Sequence, residues 1–529
     1  MIKTVNLVSK KQCKLIEYFA SHWNENFNDL QNFLVRSFNI SCSTDVDIIA
    51  PYKKDWSNMD GNADILTRPM SAIQCAIILK TAYYCKIPIT VSAGQTNLTG
   101  SATPKEGIVL STSLLTTPHI KIDMEKNEVT SPVGIPLETL RVDILKQSDM
   151  RLFYPVDPTS RHDAYVGGTI SCNASGFMPG EKGATRYWVN GLELILPNGN
   201  LINIRRGQYK SDNNTFIILD KNNKITIPIP KYKRPTIKNA SGPFSCDKGQ
   251  IDFIDLIIGS EGIFGVLTSC TLKLMERPKD YLNLFISLEN ESSAVGFHDF
   301  LYNHFNSDMS QISALEYFGY NSQNYMKHKD FLFNNKNDVG IYIQIPIHKS
   351  NLDDKSEEWM QIFKEFDINL NSENIIVLND SLNWKKFFEA RHSIPDNALR
   401  KTRQLGGVSI ITDTIVPPEN FSQYLKNAHK VLQKSKIEYL LFGHLGDCHL
   451  HFHLIPSNRQ DKKCGEVYDT LVEMSSKLGG VYSAEHGTGK KKRNDFKKCY
   501  GDDAALMVKK SKLALDPHLI LNRGNIFID

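Results

Sequence analysis

Residues 166–176 read VGGTISCNASG, and residues 92–100 read SAGQTNLTG directly after a predicted strand over 87–91. Both stretches are rich in small residues, which let successive backbone N–H groups approach a pyrophosphate. A third stretch, GSEGIFGV at 259–266, places three glycines among apolar residues. Each stretch alone is explained equally well by a tight turn. The first two nevertheless resemble loops that hold a cofactor.

The segments around these loops alternate between helical and strand patterns. An amphipathic pattern predicts a helix over 70–84, and short apolar runs predict strands over 107–110 and 192–196. Residues 210–248 are rich in Asn, Lys and Pro, which predicts surface loops or a hairpin without chemistry. After Pro278 longer helices alternate with short strands, and the predicted elements are helices over 292–306, 355–366, 420–433 and 467–478 and a strand over 340–345. The pattern predicts an α+β protein with domains at 1–278 and 279–529.

Composition narrows the class of partner. The 529 residues include 62 Lys and Arg against 58 Asp and Glu, a net charge of +4 that gives no electrostatic basis for binding nucleic acid. A small uncharged ligand or a modest anion fits better. No apolar run is long enough for a transmembrane segment or a signal peptide. The ten cysteines contain no CxxC pair, which predicts reduced thiols and a cytoplasmic protein.

Four histidines lie in the segment FGHLGDCHLHFH at 442–453. If the second half is a strand, His449, His451 and His453 share one face, and the turn brings His444 alongside. Imidazoles and a carboxylate with one open position are typical of a catalytic metal site, and Glu485 of SAEHGTG could supply the carboxylate. The alternative is a group of hydrogen-bonded histidines at a polar interface, but their density favours a metal.

The same SAEHGTG segment, at 483–489, offers a base. Gly487 and Gly489 allow a tight backbone turn, and a neighbouring metal would keep His486 uncharged and available as a general base. The lysine-rich run 490–493 is interpreted as a solvated face, because charged runs usually are.

Six motifs in one order define a resemblance. They are SAGQTNLTG, VGGTISCNASG, GSEGIFG, GHLGDCHLH, EHGTG and LNRGNIF, and the resemblance that they define runs from about residue 63 to residue 527. The chain resembles the FAD-binding oxidoreductases of the vanillyl-alcohol oxidase (PCMH-type) superfamily, in the branch of D-lactate, D-2-hydroxyglutarate and glycolate dehydrogenases. The resemblance implies a PCMH-type FAD-binding domain of two α+β subdomains and an α+β substrate-binding cap domain. Residues 513–529 are then expected to return to the FAD domain.

The resemblance also implies the site residues. Non-covalent FAD is expected, since the first loop has no histidine for attachment, and its contacts are Gly94, Gln95, Thr96, Asn97, Asp157, Ser160, Gly167, Gly168, Asn173, Ser175, Glu261, Gly262, Gly265 and Val266. The resemblance implies a divalent metal ion, Zn or Mn, with His444, His451 and Glu485 as its ligands. Proton abstraction falls to His486, and Arg391 is expected to hold a substrate carboxylate.

Several positions depart from the family pattern. Cys448 and His449 replace the Gly-Asn of its GDGN motif, which removes backbone freedom and adds an imidazole. His453 and Ile411 stand where hydroxyglutarate-type members carry Asn and Lys. Without that lysine the site has no second cation to bind a second carboxylate of the substrate. A substrate with one carboxylate is therefore favoured, and the expected reaction is oxidation of D-lactate to pyruvate.

Two alternatives stay open. KNASGP at 238–243 resembles alkylglycerone-phosphate synthase, a non-redox flavoenzyme, and the altered GDCH motif also fits a catalytically degenerate flavin-binding subunit. The expected partner is a small 2-hydroxy acid. The electron acceptor, which the sequence does not identify, is a quinone, a cytochrome, an electron-transfer flavoprotein or an iron–sulfur subunit. Peripheral membrane association and a homodimer are compatible with the sequence.

Overall fold

The helix predicted over 70–84 runs from Ala72 to Cys85, and the Ser71 side chain caps it by accepting a hydrogen bond from Gln74 N. It leads into strand Ile89–Ser92, which pairs in parallel with Ile108–Ser111. The computed structural model describes residues 1–220, 223–367, 370 and 373–528. The connection places SAGQTNLTG at the carboxyl end of a buried strand, where open α/β sheets commonly bind ligands.

Four sheets with parallel and antiparallel pairing build the N-terminal half around a shared core. The four-stranded sheet has the order Ser41–Ser43, Ile65–Arg68, Ile108–Ser111, Ile89–Ser92. The six-stranded antiparallel sheet has the order Val5–Asn6, Asn200–Arg205, Val189–Ile195, Val266–Lys273, Glu128–Pro132, Lys121–Asp123. The smaller sheets are Ile2–Lys3, Thr215–Asp220 and Asn223–Pro228, and the pair Leu152–Phe153 and Met275–Glu276.

One antiparallel sheet organises the rest of the chain. Its order is Ile375–Val377, Asp280–Leu288, Val339–Ile347, Ala314–Phe318, Glu438–His444, His449–Ile455, Ile410–Ile411. Glu438–His444 and His449–Ile455 form a hairpin that pairs His444 with His449. The predicted alternation of the histidine segment is therefore a strand, and the hairpin brings the histidines together.

Helices cover these sheets. In the N-terminal half they are Lys10–Ser21, Phe27–Phe38, Val46–Ile49, Ala72–Cys85, Leu137–Gln147, Val166–Cys172, Thr185–Trp188 and Phe253–Ile257. After residue 278 they are Glu291–His304, Lys329–Leu332, Leu352–Phe366, Ser381–Gln404, Pro418–Ser435, Asp461–Lys477, Arg493–Tyr500 and Asp502–Leu515. None of the described helices is long and apolar enough to span a bilayer.

The buried apolar side chains fall into two main cores. One core collects residues between Ile2 and Leu274 together with residues between Val472 and Phe527, and the other lies between Leu282 and Leu471. Ile89 N donates to Ile520 O, and Asn522 N donates to Ile89 O, so the late segment adds to the edge of the four-stranded sheet. On this basis we propose a domain boundary near residue 278, with the late segment packed on the first domain.

The segment 210–248 contains the hairpin that is one of the two predictions for it, and it also contains a buried charge. Its hairpin, Thr215–Asp220 with Asn223–Pro228, packs on helix Asp502–Leu515, while residues 221–222 lie outside the described part. Farther on, Lys238 is buried and forms an ion pair with Asp447 of the other domain. A segment rich in Lys and Asn is usually exposed to solvent. The Lys238 side chain can be buried here because it is paired with a carboxylate.

Candidate active site

A cavity of about 450 Å³ lies between the loops of the first domain and the sheet of the second. It is lined by all the predicted cofactor-binding residues except Asn173, and also by Arg391, His444, His451, Glu485 and His486. The predicted cofactor, metal and catalytic residues therefore share one cavity.

Asn173 lies behind the cavity. It ends helix Val166–Cys172 in the left-handed conformation, with φ of 51°. Its side chain accepts a hydrogen bond from Arg186 N and donates one to Asn239 O. Asn173 therefore shapes the loop from behind, and its side chain does not face the cavity.

The loop 92–100 is held in place on both sides. A Cβ on Gly94 would lie 1.9 Å from Asp163 O, so only glycine allows the contact between these two loops. Asn97 Oδ1 accepts hydrogen bonds from Thr99 N and Ser101 N, and its Nδ2 lies 3.4 Å from His486 O. One asparagine thus orders the predicted cofactor loop and joins it to the loop of the predicted base.

Glu261 joins two further motifs. Its carboxylate accepts hydrogen bonds from Thr488 N and Gly489 N at 2.6 and 2.7 Å. Gly489 has φ of +51° and approaches Thr99 so closely that a Cβ would lie 2.2 Å from its oxygen. Burial raises the pKa of Glu261 to about 7, although the two N–H donors and nearby lysines oppose it. Glu261 lines the cavity with its carboxylate already engaged by the EHGTG loop.

The cavity suits a flavin dinucleotide. Its first-domain walls are formed by small residues of three loops, and Ser175 Oγ is buried without a hydrogen-bond partner among the described residues. A buried hydroxyl without a partner is costly, and a ligand oxygen or nitrogen would satisfy it. The residues present therefore fit FAD.

The predicted metal donors point at a common space. Nε2 of His444 lies 3.6 Å from one oxygen of Glu485, and Nε2 of His451 lies 3.4 Å from the other. The Nδ1 atoms are engaged elsewhere: that of His444 lies 2.6 Å from Glu316 Oε1, and that of His451 lies 2.9 Å from Thr412 O. Such outer contacts fix the ring orientation of metal-binding histidines, so this donor set fits a divalent cation.

Glu316, on strand Ala314–Phe318, is a site residue that the sequence analysis missed. It is buried and contacts His444 through one oxygen and Arg391 Nη2 through the other, at 3.0 Å. Burial alone would raise the pKa of Glu316, but His444 and Arg391 lower it to about 2. Burial alone would lower the pKa of His444, but Glu316 and Glu485 raise it to about 10. The raised pKa of His444 reflects the negative charges of Glu316 and Glu485, which would also attract a bound cation.

Arg391 lines the cavity from helix Ser381–Gln404. Its guanidinium stacks over the Phe177 ring, 4.6 Å from the centroid, while Nη2 binds Glu316. The remaining guanidinium nitrogens form no hydrogen bond among the described residues. The planar group is thus held by two contacts and keeps donors for a ligand.

Asp413, also missed, is fully buried and organises the other side of the site. It lies 3.4 Å from His486 Nδ1, and it accepts hydrogen bonds from Ser483 Oγ and Lys492 Nζ, both at 2.7 Å. Although burial would raise the pKa of Asp413, the neighbouring His486 and Lys492 hold it well below its usual range. The Asp413 carboxylate thus orients the His486 ring. The other ring nitrogen, Nε2, faces Glu485 and lies 3.6 Å from its Oε1.

The interpretation of 490–493 as a solvated face is wrong for two of its lysines, although Lys491 is exposed. Lys490 and Lys492 are buried, and Lys490 Nζ donates to Gly100 O and Asn525 Oδ1. Each ammonium is satisfied by oxygens from segments distant in sequence, which is what permits its burial.

The remaining residues of the histidine segment have different surroundings. His453 is buried, contacts Ser409 and does not line the cavity, whereas Ile411 does. The substrate argument therefore rests on Ile411. Cys448 has φ of +55°, the left-handed region that favours glycine, and its Sγ lies 3.4 Å from His298 Nε2. Cys448 therefore adopts at this turn a backbone conformation that glycine adopts more easily.

Two family models match the chain. The FAD binding domain matches residues 63–205, and the C-terminal domain of FAD linked oxidases matches residues 309–526. The first match contains the loops 92–100 and 166–176, and the second contains the histidine segment. The matches support FAD as the cofactor.

Known proteins resemble the chain over most of its length. The D-lactate dehydrogenase of Archaeoglobus fulgidus is 25% identical over 87% of this chain and 91% of its own length. The D-2-hydroxyglutarate dehydrogenase of Stutzerimonas stutzeri is 23% identical over 92% of this chain and 95% of its own. A structure of p-cresol methylhydroxylase with substrate bound superimposes with a TM-score of 0.68, at 15% identity, over 99% of both chains. The last similarity shows a PCMH-type fold.

Proposed function

Because the chain belongs to the FAD-linked oxidoreductases that combine an FAD binding domain with an FAD-linked oxidase C-terminal domain, we propose that it is a D-2-hydroxyacid dehydrogenase. We further propose D-lactate as the substrate and pyruvate as the product. One observation supports this proposal most directly. The cofactor loops line the same cavity as Arg391, His486 and the cluster of His444, His451 and Glu485.

Arg391 binds the substrate carboxylate. Its guanidinium is held by Phe177 and Glu316, so a carboxylate meets a preoriented donor. Arg391 is the only lysine or arginine lining the cavity among the described residues, and the apolar Ile411 lies in the same wall. This composition favours an acid with one carboxylate and a short chain over D-2-hydroxyglutarate.

His486 takes the proton of the substrate hydroxyl at Nε2. Asp413 faces the opposite nitrogen, Nδ1, and therefore favours the tautomer in which Nε2 is free to accept. A bound divalent cation would lower the pKa of the hydroxyl, and His444, His451 and Glu485 are the residues that would hold it. FAD, when bound, supplies the acceptor for the hydride of C2, so that the alcohol carbon is oxidised to a ketone and the flavin is reduced by two electrons.

The test is anaerobic reduction of the purified flavoprotein by D-lactate, L-lactate, glycolate and D-2-hydroxyglutarate. We expect D-lactate to bleach the visible flavin absorbance fastest. A yellow protein that none of the acids bleaches would refute the proposed activity. Faster bleaching by D-2-hydroxyglutarate would refute only the proposed substrate.

A variant tests the base. His486→Ala should retain flavin and lose reduction by substrate, whereas His328→Ala, at an exposed histidine paired with Glu389, should behave like wild type. Undiminished reduction in His486→Ala would show that another group takes the proton.

A further inference from the structure

His449 begins strand His449–Ile455 and lies opposite His444 in the hairpin. It is 0% exposed, and neither ring nitrogen forms a well-aligned hydrogen bond with the described residues. Nε2 has a contact with Asp413, but the buried Nδ1 has no partner and loses the hydrogen bond that water would give it. Its burial therefore points to a ligand that the protein atoms do not supply.

The surroundings of His449 identify the kind of ligand. One ligand atom from each of His444, His449, His451 and Glu485 lies within 4.8 Å of the others. The His449 ring centroid is 4.5 Å from that of His451 and 5.5 Å from that of His444. Nitrogen and carboxylate donors gathered in this way are the ligands of a transition metal.

An acceptor also stands behind His449. Its Nε2 lies 3.3 Å from Asp413 Oδ1, as Nδ1 of His444 lies next to Glu316 and Nδ1 of His451 next to Thr412 O. In all three histidines one nitrogen has an oxygen behind it, which is the outer contact that orients metal-binding imidazoles.

We infer that His449 is a further metal ligand, which makes the site one of three imidazoles and one carboxylate. This inference rests on the metal site proposed above, which used only His444, His451 and Glu485. Three imidazoles select zinc over manganese, because imidazole suits later transition metals and Mn²⁺ binds most weakly in the divalent series. A bound zinc ion would then be held by His444, His449, His451 and Glu485.

The experiment counts imidazoles on the metal. The full-length protein is stripped with a chelator, reloaded with one equivalent of Zn²⁺ and studied by X-ray absorption at the zinc edge. We expect three imidazoles in the wild type, two in His449→Asn and three in His453→Asn. His453→Asn is the matched control, because His453 is a buried histidine of the same strand that does not belong to the cluster of donor residues.

The wild-type spectrum alone decides the inference if His449→Asn does not fold. Two imidazoles in the wild type overturn the role of His449 and leave the proposed metal site standing. A wild type that binds no Zn²⁺ at all overturns the proposed metal site, and the inference with it.

Chelator competition provides a second readout. His449→Asn should weaken Zn²⁺ binding by more than the roughly 10–100-fold that loss of an outer contact causes. The same variant should weaken Mn²⁺ binding less, so that the preference for zinc falls. An unchanged ratio of the two dissociation constants would contradict the assignment.

Discussion

At the scale of single residues, two carboxylates that do not touch one another organise the site. Glu316 holds Arg391 and His444, while Asp413 holds His486 and Lys492. Both carboxylates are buried, and the charges around them keep the pKa of each below its usual range. Arg391 and His486, which are proposed to touch the substrate, are thus positioned by Glu316 and Asp413.

Arg391→Lys tests the need for a planar group. A lysine offers a point charge, which cannot bind Glu316 and a substrate carboxylate with the same geometry. We expect substrate binding to weaken about 10–100-fold, equivalent to the loss of a charged hydrogen bond, with flavin content unchanged. The measurement is the substrate dependence of flavin reduction. Arg400→Lys, at an exposed arginine of the same helix, is the control, and equal behaviour of the two variants would contradict the assignment.

Glu261→Gln tests the raised pKa of Glu261. Because the folded-state pKa is about 7 against 4.5 normally, the folded protein keeps a proton that the unfolded chain loses. This contribution to stability is complete below pH 4.5 and is lost as the pH rises through 7. Relative to Glu261→Gln, the wild type should therefore lose about 3 kcal/mol between pH 4.5 and 8. Urea unfolding across this range, with both proteins in the same cofactor state, provides the measurement.

The control for this pH dependence is Glu125→Gln, at an exposed glutamate, which should follow the wild type at every pH. Parallel stability profiles for wild type and Glu261→Gln would show that Glu261 is ionised in the fold throughout.

At the scale of elements, short segments that are distant in sequence complete one another. The segment around Asn522 lies beside strand Ile89–Ser92, with Asn522 Oδ1 accepting from Val91 N and Nδ2 donating to Glu261 O. One side chain thus connects the strand before the first cofactor loop to the GSEG turn. Asn522 also lines the cavity, so this connection forms part of the proposed flavin site.

Asn522→Ala should destabilise the protein by about 2 kcal/mol, because Val91 N loses the side-chain oxygen to which it donates and Glu261 O keeps only the longer hydrogen bond from Asn525 Nδ2. We also expect flavin to be lost on gel filtration. Urea unfolding and visible absorbance measure the two effects. Arg523→Ala removes a surface ion pair with Glu106 and should change little. Equal effects of the two substitutions would show that the bonds of Asn522 are dispensable.

The sequence predicted those features of the site that are local. The loops 92–100 and 166–176 carry their own small residues, and the hairpin alternation of the histidine segment places His444 beside its strand partner. Glu316 stands in the apolar strand ALEYF, where nothing nearby marks it as a partner of Arg391. Lys490 was misjudged for the same reason, since the oxygens that satisfy it belong to Gly100 and Asn525. Pairings across long sequence separations are set by tertiary packing, which a local pattern does not contain.

At the scale of the whole molecule, a buried ion pair joins the two proposed domains. Lys238 and Asp447 expose 2% and 4% of their side chains, and Asp447 also accepts a hydrogen bond from Gly180 N. The motif turn GHLGD is therefore anchored to the first domain by charge and by backbone. We expect this contact to help fix the position of one domain relative to the other. The shape of the cavity between the domains would then also depend on it.

Lys238→Met should destabilise the protein by about 3–5 kcal/mol, because Asp447 becomes a buried charge without a cation. The double variant Lys238→Met/Asp447→Asn should recover much of this loss, since the amide keeps an acceptor for Gly180 N and removes the charge. Thermal and urea unfolding of the single and double variants provide the comparison. A double variant as unstable as Lys238→Met would contradict the electrostatic explanation.

The late position of Asn522 in the chain has a consequence for biosynthesis. The ribosome makes the loops 92–100 and 166–176 first, then the whole substrate-facing sheet, and only afterwards the segment that completes the cavity wall. When the first domain has left the ribosome, strand Ile89–Ser92 still has an unpaired edge. Such an edge can form hydrogen bonds with the wrong chain segment. Stable enclosure of the flavin must therefore wait until translation has passed both domains, and premature termination within the second domain leaves an open site.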